Sequence, residues 1–198
     1  ISFFFRKSLF SYKKAIFAPI KLIIMTNKYH SVKPIKGFGE KRLFIETYGC
    51  QMNVNDSEVV LSILQPAGYT LCESIKEADL ILINTCSIRD NAEQRIWGRL
   101  DLFRIEKTKR KGVKVGILGC MAERLKEDLL NHPAVDLVAG PDSYRSLPFL
   151  LESLDGGDKQ INTMLSQEET YADISPVRLD KNGVSAFISI MRGCNNMC

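Results

Sequence analysis

The sequence has 198 residues, of which 45% are hydrophobic and 25% are charged, a composition typical of globular proteins. This length allows one domain and the beginning of a second. The net charge of +4 is uneven: the first 39 residues hold eight Lys or Arg and no acid, which leaves 19 basic against 23 acidic residues from Glu40 onward. The overall charge therefore does not indicate nucleic-acid binding, and any such surface would have to be a local patch.

Residues 1–40 are expected to lie outside the folded part of the chain. The segment from Ile1 to Ile24 is too interrupted by Lys and Arg to predict a membrane span. An acid-free segment with Ser and Lys is also typical of an organellar transit peptide. We favour a third interpretation, in which translation begins at Met25, because residues 26–39 already resemble a polar tail.

Strands and helices alternate along the next part of the chain. A predicted strand over Lys41–Thr47 precedes a helix whose start is indicated by the capping pattern Asn55-Asp-Ser-Glu58. Pro66 ends this helix, and Tyr69–Cys72 is predicted to be a short extended piece. The run Ala78–Thr85 is almost wholly apolar, which is typical of a strand that is covered on both faces.

The same alternation continues towards the middle of the chain. Asp90 and Glu93 have the spacing of a second capping box, and Gly112 ends the helix that follows. The remaining predicted elements are a strand over Val113–Leu118, a helix over Ala122–Leu130, a strand over Val135–Gly140 and a helix over Ser143–Leu154. Four strand–helix repeats predict an α/β fold with an open, mostly parallel sheet and helices on both faces.

A domain boundary is predicted at Gly156-Gly-Asp158. We expect one domain over residues 41–157 and a polar linker, which contains Pro176, over residues 158–182. Residues 183–198 begin with a predicted strand and are expected to start a second domain. Because the chain stops inside a cysteine motif, we expect it to be an amino-terminal fragment.

Cys50, Cys86 and Cys120 each follow a predicted strand and precede a predicted helix. The carboxyl ends of parallel strands form one edge of the sheet, where ligands of open α/β folds bind. The amino terminus of a helix stabilises a thiolate, and thiolates bind zinc or iron–sulfur clusters. Three unrelated buried cysteines are the alternative, because Cys is often buried. The repeated context favours a metal site, and disulfides would require an oxidising compartment.

The other cysteines occur in different contexts. Cys72 does not follow a long predicted strand and is predicted to pack in the core. Cys194 and Cys198 form a C-x-x-x-C motif after a predicted strand, a spacing that also occurs in half of a zinc site.

Four motifs resemble, in the same order, those of the radical S-adenosylmethionine methylthiotransferases. They are Glu46-Thr-Tyr-Gly-Cys-Gln-Met-Asn-Val-Asn-Asp-Ser-Glu58, Asn84-Thr-Cys-Ser-Ile-Arg89, Gly119-Cys-Met-Ala-Glu-Arg124 and Met191-Arg-Gly-Cys-Asn-Asn-Met-Cys198. The resemblance extends from Lys41 to Cys198. Its Gly-Cys-Gln-Met-Asn form most resembles the tRNA branch, the 2-methylthio-N6-isopentenyladenosine synthases. The resemblance implies a flavodoxin-like domain followed by the first strand of a radical S-adenosylmethionine barrel.

The resemblance also implies two 4Fe-4S clusters. Cys50, Cys86 and Cys120 would hold an auxiliary cluster, and Cys194 and Cys198 would hold a second one with a cysteine beyond the chain. The second cluster would reduce S-adenosylmethionine to a deoxyadenosyl radical, which would remove hydrogen from carbon 2 of the modified adenosine. Sulfur from the auxiliary site and a methyl group from a second S-adenosylmethionine would then be added there. The implied partners are the tRNA anticodon loop, S-adenosylmethionine and an electron donor. We expect a cytoplasmic monomer, and a fragment with an incomplete radical site that is inactive alone.

Two alternatives remain open from the sequence. One is a methylthiotransferase that acts on threonylcarbamoyl-adenosine in tRNA or on a ribosomal protein. The other is a non-catalytic, flavodoxin-like module with structural zinc and a partner-binding role, which metal analysis would distinguish.

Overall fold

A computed structural model describes residues 41–86, 90–166 and 169–179 of the chain. The predictions for residues 1–40 and 183–198, which include Cys194 and Cys198, lie outside the described residues. In the described ranges, no helix is both long and apolar enough to cross a membrane.

Six strands and five α-helices make up the described part of the chain. They are β1 Lys41–Tyr48, α1 Gln51–Leu64, β2 Tyr69–Leu71, β3 Leu80–Thr85, α2 Asp90–Lys109, β4 Lys114–Leu118, α3 Cys120–Leu125, α4 Glu127–Leu130, β5 Leu137–Ala139, α5 Leu147–Ser153 and β6 Gln160–Asn162. The strands form one sheet in the order β2-β1-β3-β4-β5-β6, and every neighbouring pair is parallel. This confirms the predicted α/β fold with an open parallel sheet.

The sheet order contains a topological switch point between β1 and β3. The chain moves from β1 outward to β2, returns to β3 on the other side of β1, and then continues away from it. Open α/β sheets bind ligands at such a point, beyond the carboxyl ends of the strands. Two of the three strand-end cysteines therefore flank the expected binding crevice, since Cys50 follows β1 and Cys86 follows β3.

The core is divided between the two faces of the sheet, and β3 contributes to both. Leu80 and Leu82 pack with α1 and α5, whereas Ile81 and Ile83 pack with α2 and the short helices α3 and α4. All six residues of β3 are buried, which explains why its first four residues are a continuous apolar run rather than an alternating one. Burial on both faces fixes the position of the strand that leads to Cys86.

Some boundaries differ from the sequence predictions. Helix α1 begins at Gln51, four residues before the predicted capping pattern, and Cys50 is its N-cap residue. The helix predicted over Ala122–Leu130 is interrupted at Lys126, whose φ of 40° is not helical. Residues 160–162 were predicted to be linker, but they form β6, which pairs with β5 at the edge of the sheet.

The segment 169–179, also predicted to be linker, lies against the domain. The buried Tyr171 ring stacks on Tyr144 with ring centroids 5.7 Å apart, and its hydroxyl donates a hydrogen bond to the carbonyl of Pro141 at 3.0 Å. Farther along, the carboxylate of Glu58 in α1 accepts hydrogen bonds from Nη1 of Arg178 at 2.8 Å and from the N–H of Leu179 at 2.9 Å. The end of this segment is therefore bound to α1.

We expect Glu58→Ala to release the end of this segment without unfolding the domain. The substitution removes the acceptor of two hydrogen bonds, while Ala keeps the helical propensity of α1. A time course of limited trypsin digestion should show faster cleavage after Arg178, with little change in the thermal midpoint. Glu152→Ala, at an exposed position of α5, is the matched control. Equal cleavage rates in the two variants would contradict this role of Glu58.

Candidate metal centre at the carboxyl edge of the sheet

The register of the sheet brings Cys50, Cys86 and Cys120 to one edge. Tyr48 at the end of β1 pairs with Thr85 at the end of β3, and Asn84 pairs with Leu118 at the end of β4. Each cysteine follows within two residues of the end of its strand. The three cysteines therefore follow three neighbouring strands at nearly the same position along the strand direction.

Exposure differs among the three cysteines. Cys86 is buried, with 7% of its surface exposed, whereas Cys50 and Cys120 are exposed. All three are free thiols, so none of them forms a disulfide within the described part of the chain. An exposed pair beside a buried thiol is compatible with a site that opens towards solvent.

Cys72 occupies a different level of the sheet, although it too follows a strand. Strand β2 is short, and its last residue, Leu71, pairs with Leu43 near the start of β1. The N–H of Cys72 accordingly donates to the carbonyl of Leu43 at 2.8 Å, and its side chain packs against the core. This agrees with the prediction that Cys72 is a core residue.

The electrostatic environment links two of the cysteines. Although Cys120 is exposed as a residue, the pKa of its thiol is raised, first because neighbouring atoms partly remove the sulfur from water and then by the charges of Cys86, Asp56 and Glu123. A bound cation would oppose this shift, because it favours the thiolate form of Cys120.

The described residues contain no group of three His, Cys, Asp or Glu side chains that is arranged to hold a metal ion. The thiol of Cys50 instead donates a hydrogen bond to Oδ1 of Asn53 at 3.4 Å. The placement of the cysteines at one edge and the softness of thiolate ligands fit an iron–sulfur cluster, but the thiol of Cys50 would have to give up its hydrogen bond to Asn53 to bind one. The three-cysteine ligand set therefore remains a prediction.

Beneath the cysteines lies a buried pair of amides that the sequence analysis missed. Nδ2 of Asn53 in α1 donates to Oδ1 of Asn84 in β3 at 3.2 Å, and both side chains are buried. One signal was visible in the sequence, because Asn84 interrupts an apolar strand at a position that should be buried. A polar side chain in such a position requires hydrogen-bond partners.

Two glycines allow the strand ends to approach this pair. An added Cβ at Gly49 would lie 2.3 Å from Oδ1 of Asn53 and 2.9 Å from Cβ of Cys86. At Gly119 it would lie 2.5 Å from Oδ1 of Asn84. Each of these glycines directly precedes a cysteine, so the close packing that positions Cys50 and Cys120 depends on the missing side chains.

An ion pair fixes the end of β1 beside the site. The guanidinium of Arg99 in α2 binds both carboxylate oxygens of Glu46, with Nε at 3.1 and 2.8 Å. The hydroxyl of Tyr48 donates to the same carboxylate at 2.9 Å, and the pKa of Tyr48 is raised by burial and by Glu46. This network joins α2 to the strand that leads into Cys50.

The fold and this edge define an α/β domain with three thiols at the carboxyl edge of a parallel sheet, two of which flank its switch point. The model of the family described as Uncharacterized protein family UPF0004 matches residues 42–140, half of the chain. The chain belongs to this family, and the relatives that it matches are tRNA methylthiotransferases, in agreement with the resemblance seen in the cysteine motifs.

Three relatives illustrate the similarity. The chain is 58% identical over 158 residues to the tRNA-2-methylthio-N(6)-dimethylallyladenosine synthase of Bacteroides fragilis strain YCH46, a match that covers 80% of this chain and 35% of the relative. It is 60% identical over 159 residues to the synthase of the same name from Amoebophilus asiaticus, covering 80% and 33%. It is 54% identical over 164 residues to a mitochondrial tRNA methylthiotransferase of Mus musculus, covering 80% and 28%. The chain thus spans about a third of the length of the curated relatives it matches.

Proposed function

We propose that this chain is the amino-terminal, cluster-binding part of a tRNA methylthiotransferase. The reaction would add a methylthio group to carbon 2 of N6-isopentenyladenosine beside the anticodon. The observation that supports this proposal most directly is the delivery of three cysteines to one sheet edge by neighbouring parallel strands. Relatives named for this modification cover 80% of the chain.

In this proposal Cys50, Cys86 and Cys120 hold the auxiliary 4Fe-4S cluster. Cys194 and Cys198, which lie outside the described residues, would hold the second cluster together with a further cysteine. When bound, the clusters and S-adenosylmethionine supply the one-electron and sulfur chemistry of the reaction. Three protein ligands leave one position of the auxiliary site open, as sites that carry chemistry require.

The chain's own residues would orient and expose this site. The buried Cys86 anchors one side, while the exposed Cys50 and Cys120 leave the edge open to a substrate. An enzyme that modifies a base needs that base unstacked, and the bases of an anticodon loop are more easily unstacked than those of a duplex. A base presented by such a loop could approach this edge without opening the sheet.

The first test of the proposal is the metal content of the 198-residue chain. Anaerobic incubation with ferrous iron and sulfide, followed by desalting, should leave iron and inorganic sulfide on the protein in equal amounts. Chemical iron and sulfide assays measure the result, and albumin carried through the same procedure controls for adventitious iron. Bound zinc without sulfide would contradict the proposal and favour a structural module.

The substrate is tested separately in cells that lack the full-length protein. Nucleosides from their tRNA should lose 2-methylthio-N6-isopentenyladenosine and retain N6-isopentenyladenosine, as measured by mass spectrometry. Loss of the methylthio form of threonylcarbamoyl-adenosine instead would assign the protein to that alternative substrate.

A further inference from the structure

The side-chain amides of Asn53 and Asn84 also form hydrogen bonds with other groups, which hold both of them in one orientation. Nδ2 of Asn84 donates to the carbonyl of Asn53 at 2.9 Å and to Oγ of Ser57 at 3.0 Å. The Ser57 hydroxyl in turn donates to the carbonyl of Asn53 at 2.9 Å and contacts Oγ1 of Thr47 at 2.7 Å. These contacts join the first turns of α1 to the ends of β1 and β3.

The other end of the pair reaches the first cysteine. Oδ1 of Asn53 accepts a hydrogen bond from the backbone N–H of Cys50 at 3.2 Å, in addition to the thiol contact. The backbone contact does not depend on the thiol proton, so it can persist when the sulfur binds a metal. Asn84 lies two residues before Cys86 on the buried strand β3. One connected set of hydrogen bonds therefore reaches from the backbone of Cys50 to the strand that carries Cys86.

Stability alone does not account for this arrangement. Each polar group of a buried amide needs a hydrogen-bond partner to replace water, and apolar side chains at these positions would avoid that requirement. Asn53 and Asn84 are 3% and 0% exposed, and their amide groups are hydrogen-bonded to each other and to neighbouring groups. A fully satisfied buried network makes its surroundings rigid and fixes a single geometry.

We infer that Asn53 and Asn84 are positioning residues, which set the distance between Cys50 and Cys86 before a cluster binds. This inference rests on the proposed function, because it assigns the pair to the auxiliary cluster site. Outer groups that orient metal ligands typically change metal affinity about 10–100-fold when they are removed. Neither amide needs to touch the cluster for this effect.

The test measures how long the chain retains iron. The reconstituted 198-residue chain and its Asn53→Ala and Asn84→Ala variants are mixed with an excess of an iron chelator, and loss of the cluster absorbance is followed. We expect release to be about 10-fold faster or more in both variants. Asn162→Ala is the matched control, because Asn162 also bonds two serines at the carboxyl end of a strand, but on β6. Its release rate should equal that of the unmodified chain.

A second variant and a spectrum separate positioning from simple stabilisation. Ser57→Ala removes one acceptor of Asn84 inside a helix where Ala is favourable, so we expect it to fold and to show intermediate release. The electron paramagnetic resonance spectrum of the reduced cluster should also shift in the Asn variants.

The outcomes distinguish this inference from the proposed function. Lower thermal midpoints with unchanged iron release rates and spectra would overturn the inference but not the proposed function. If Asn84→Ala does not fold, an unchanged iron release rate in Ser57→Ala would also overturn the inference. An unmodified chain that takes up no iron would overturn the proposed function as well.

Discussion

Gly119→Ala is expected to prevent the domain from folding. Gly119 has a φ of 90°, a region that L-residues rarely occupy, and it lies between β4 and Cys120. An added Cβ would be 2.6 Å from the carbonyl oxygen of Thr85 and 2.5 Å from Oδ1 of Asn84. The carbonyl belongs to the buried strand β3 and cannot move without disturbing its pairing.

The size of this effect follows from adding two contributions. The backbone conformation of Gly119, with φ 90° and ψ −165°, is adopted almost only by Gly and costs another residue about 1–3 kcal/mol. The clash with buried backbone adds several more, so a total above about 4 kcal/mol is expected, a large fraction of the roughly 5–15 kcal/mol that stabilises a typical domain. Urea unfolding monitored by circular dichroism would measure the loss, or show that no cooperative transition remains.

Two other glycines provide matched controls. Gly112 has a φ of 94° but no heavy atom within 4 Å of an added Cβ, so Gly112→Ala carries the cost of a positive φ without a clash. Gly98 lies in α2 with equally open surroundings, and Gly98→Ala should stabilise the helix by roughly 0.5–1 kcal/mol. A Gly119→Ala variant as stable as Gly112→Ala would contradict the close packing at the site.

The strands that carry the cysteines could be predicted because apolar runs with turn signals identify them. The sequence predicts β3 as Ala78–Thr85 and the structure has it as Leu80–Thr85, and the parallel arrangement follows from the intervening helices. Once three cysteines follow three such strands, their common edge is a topological consequence. Pattern and connectivity alone were sufficient for this part of the site.

The start of α1 could not be predicted by the usual capping rule. The pattern at residues 55–58 has the residue types of a capping box, but those residues lie within the helix and are buried. The N-cap is Cys50, whose backbone N–H donates a hydrogen bond to Oδ1 of Asn53. In a typical capping box, a Glu or Gln side chain accepts this hydrogen bond. A predicted site residue thus also serves as the helix cap, and rules based on typical caps do not include it.

The edge strand β6 and the amide pair were missed for different reasons. Strand β6 has three residues and lies at the edge of the described sheet beside β5, so its sequence carries almost no alternation. The amide pair joins residues 31 positions apart, and periodicity describes only which face a residue occupies, not which polar partner it meets. Both features depend on tertiary contacts rather than on local pattern.

The largest functional effect is expected from the cysteine variants. Replacing Cys50, Cys86 or Cys120 by Ala should abolish cluster assembly on the auxiliary site, because two thiolates do not hold a cluster that needs three protein ligands. Iron and sulfide analysis after anaerobic reconstitution would measure the loss. Far-ultraviolet circular dichroism should show that each variant keeps its fold, since replacing the thiol group by a hydrogen atom removes little buried volume.

Cys72→Ala is the control that makes this prediction specific. Its thiol belongs to the same sheet and is half-buried, but it lies level with Leu43, near the opposite end of β1 from Cys50. This variant should bind as much iron and sulfide as the unmodified chain, and so should a Cys194→Ala, Cys198→Ala double variant if the auxiliary site is complete by itself. Loss of the cluster in Cys72→Ala, or its retention in Cys86→Ala, would mean that the three thiols at the carboxyl edge are not the ligands. The comparison therefore tests whether position at the carboxyl edge, rather than the presence of a thiol, determines where iron binds.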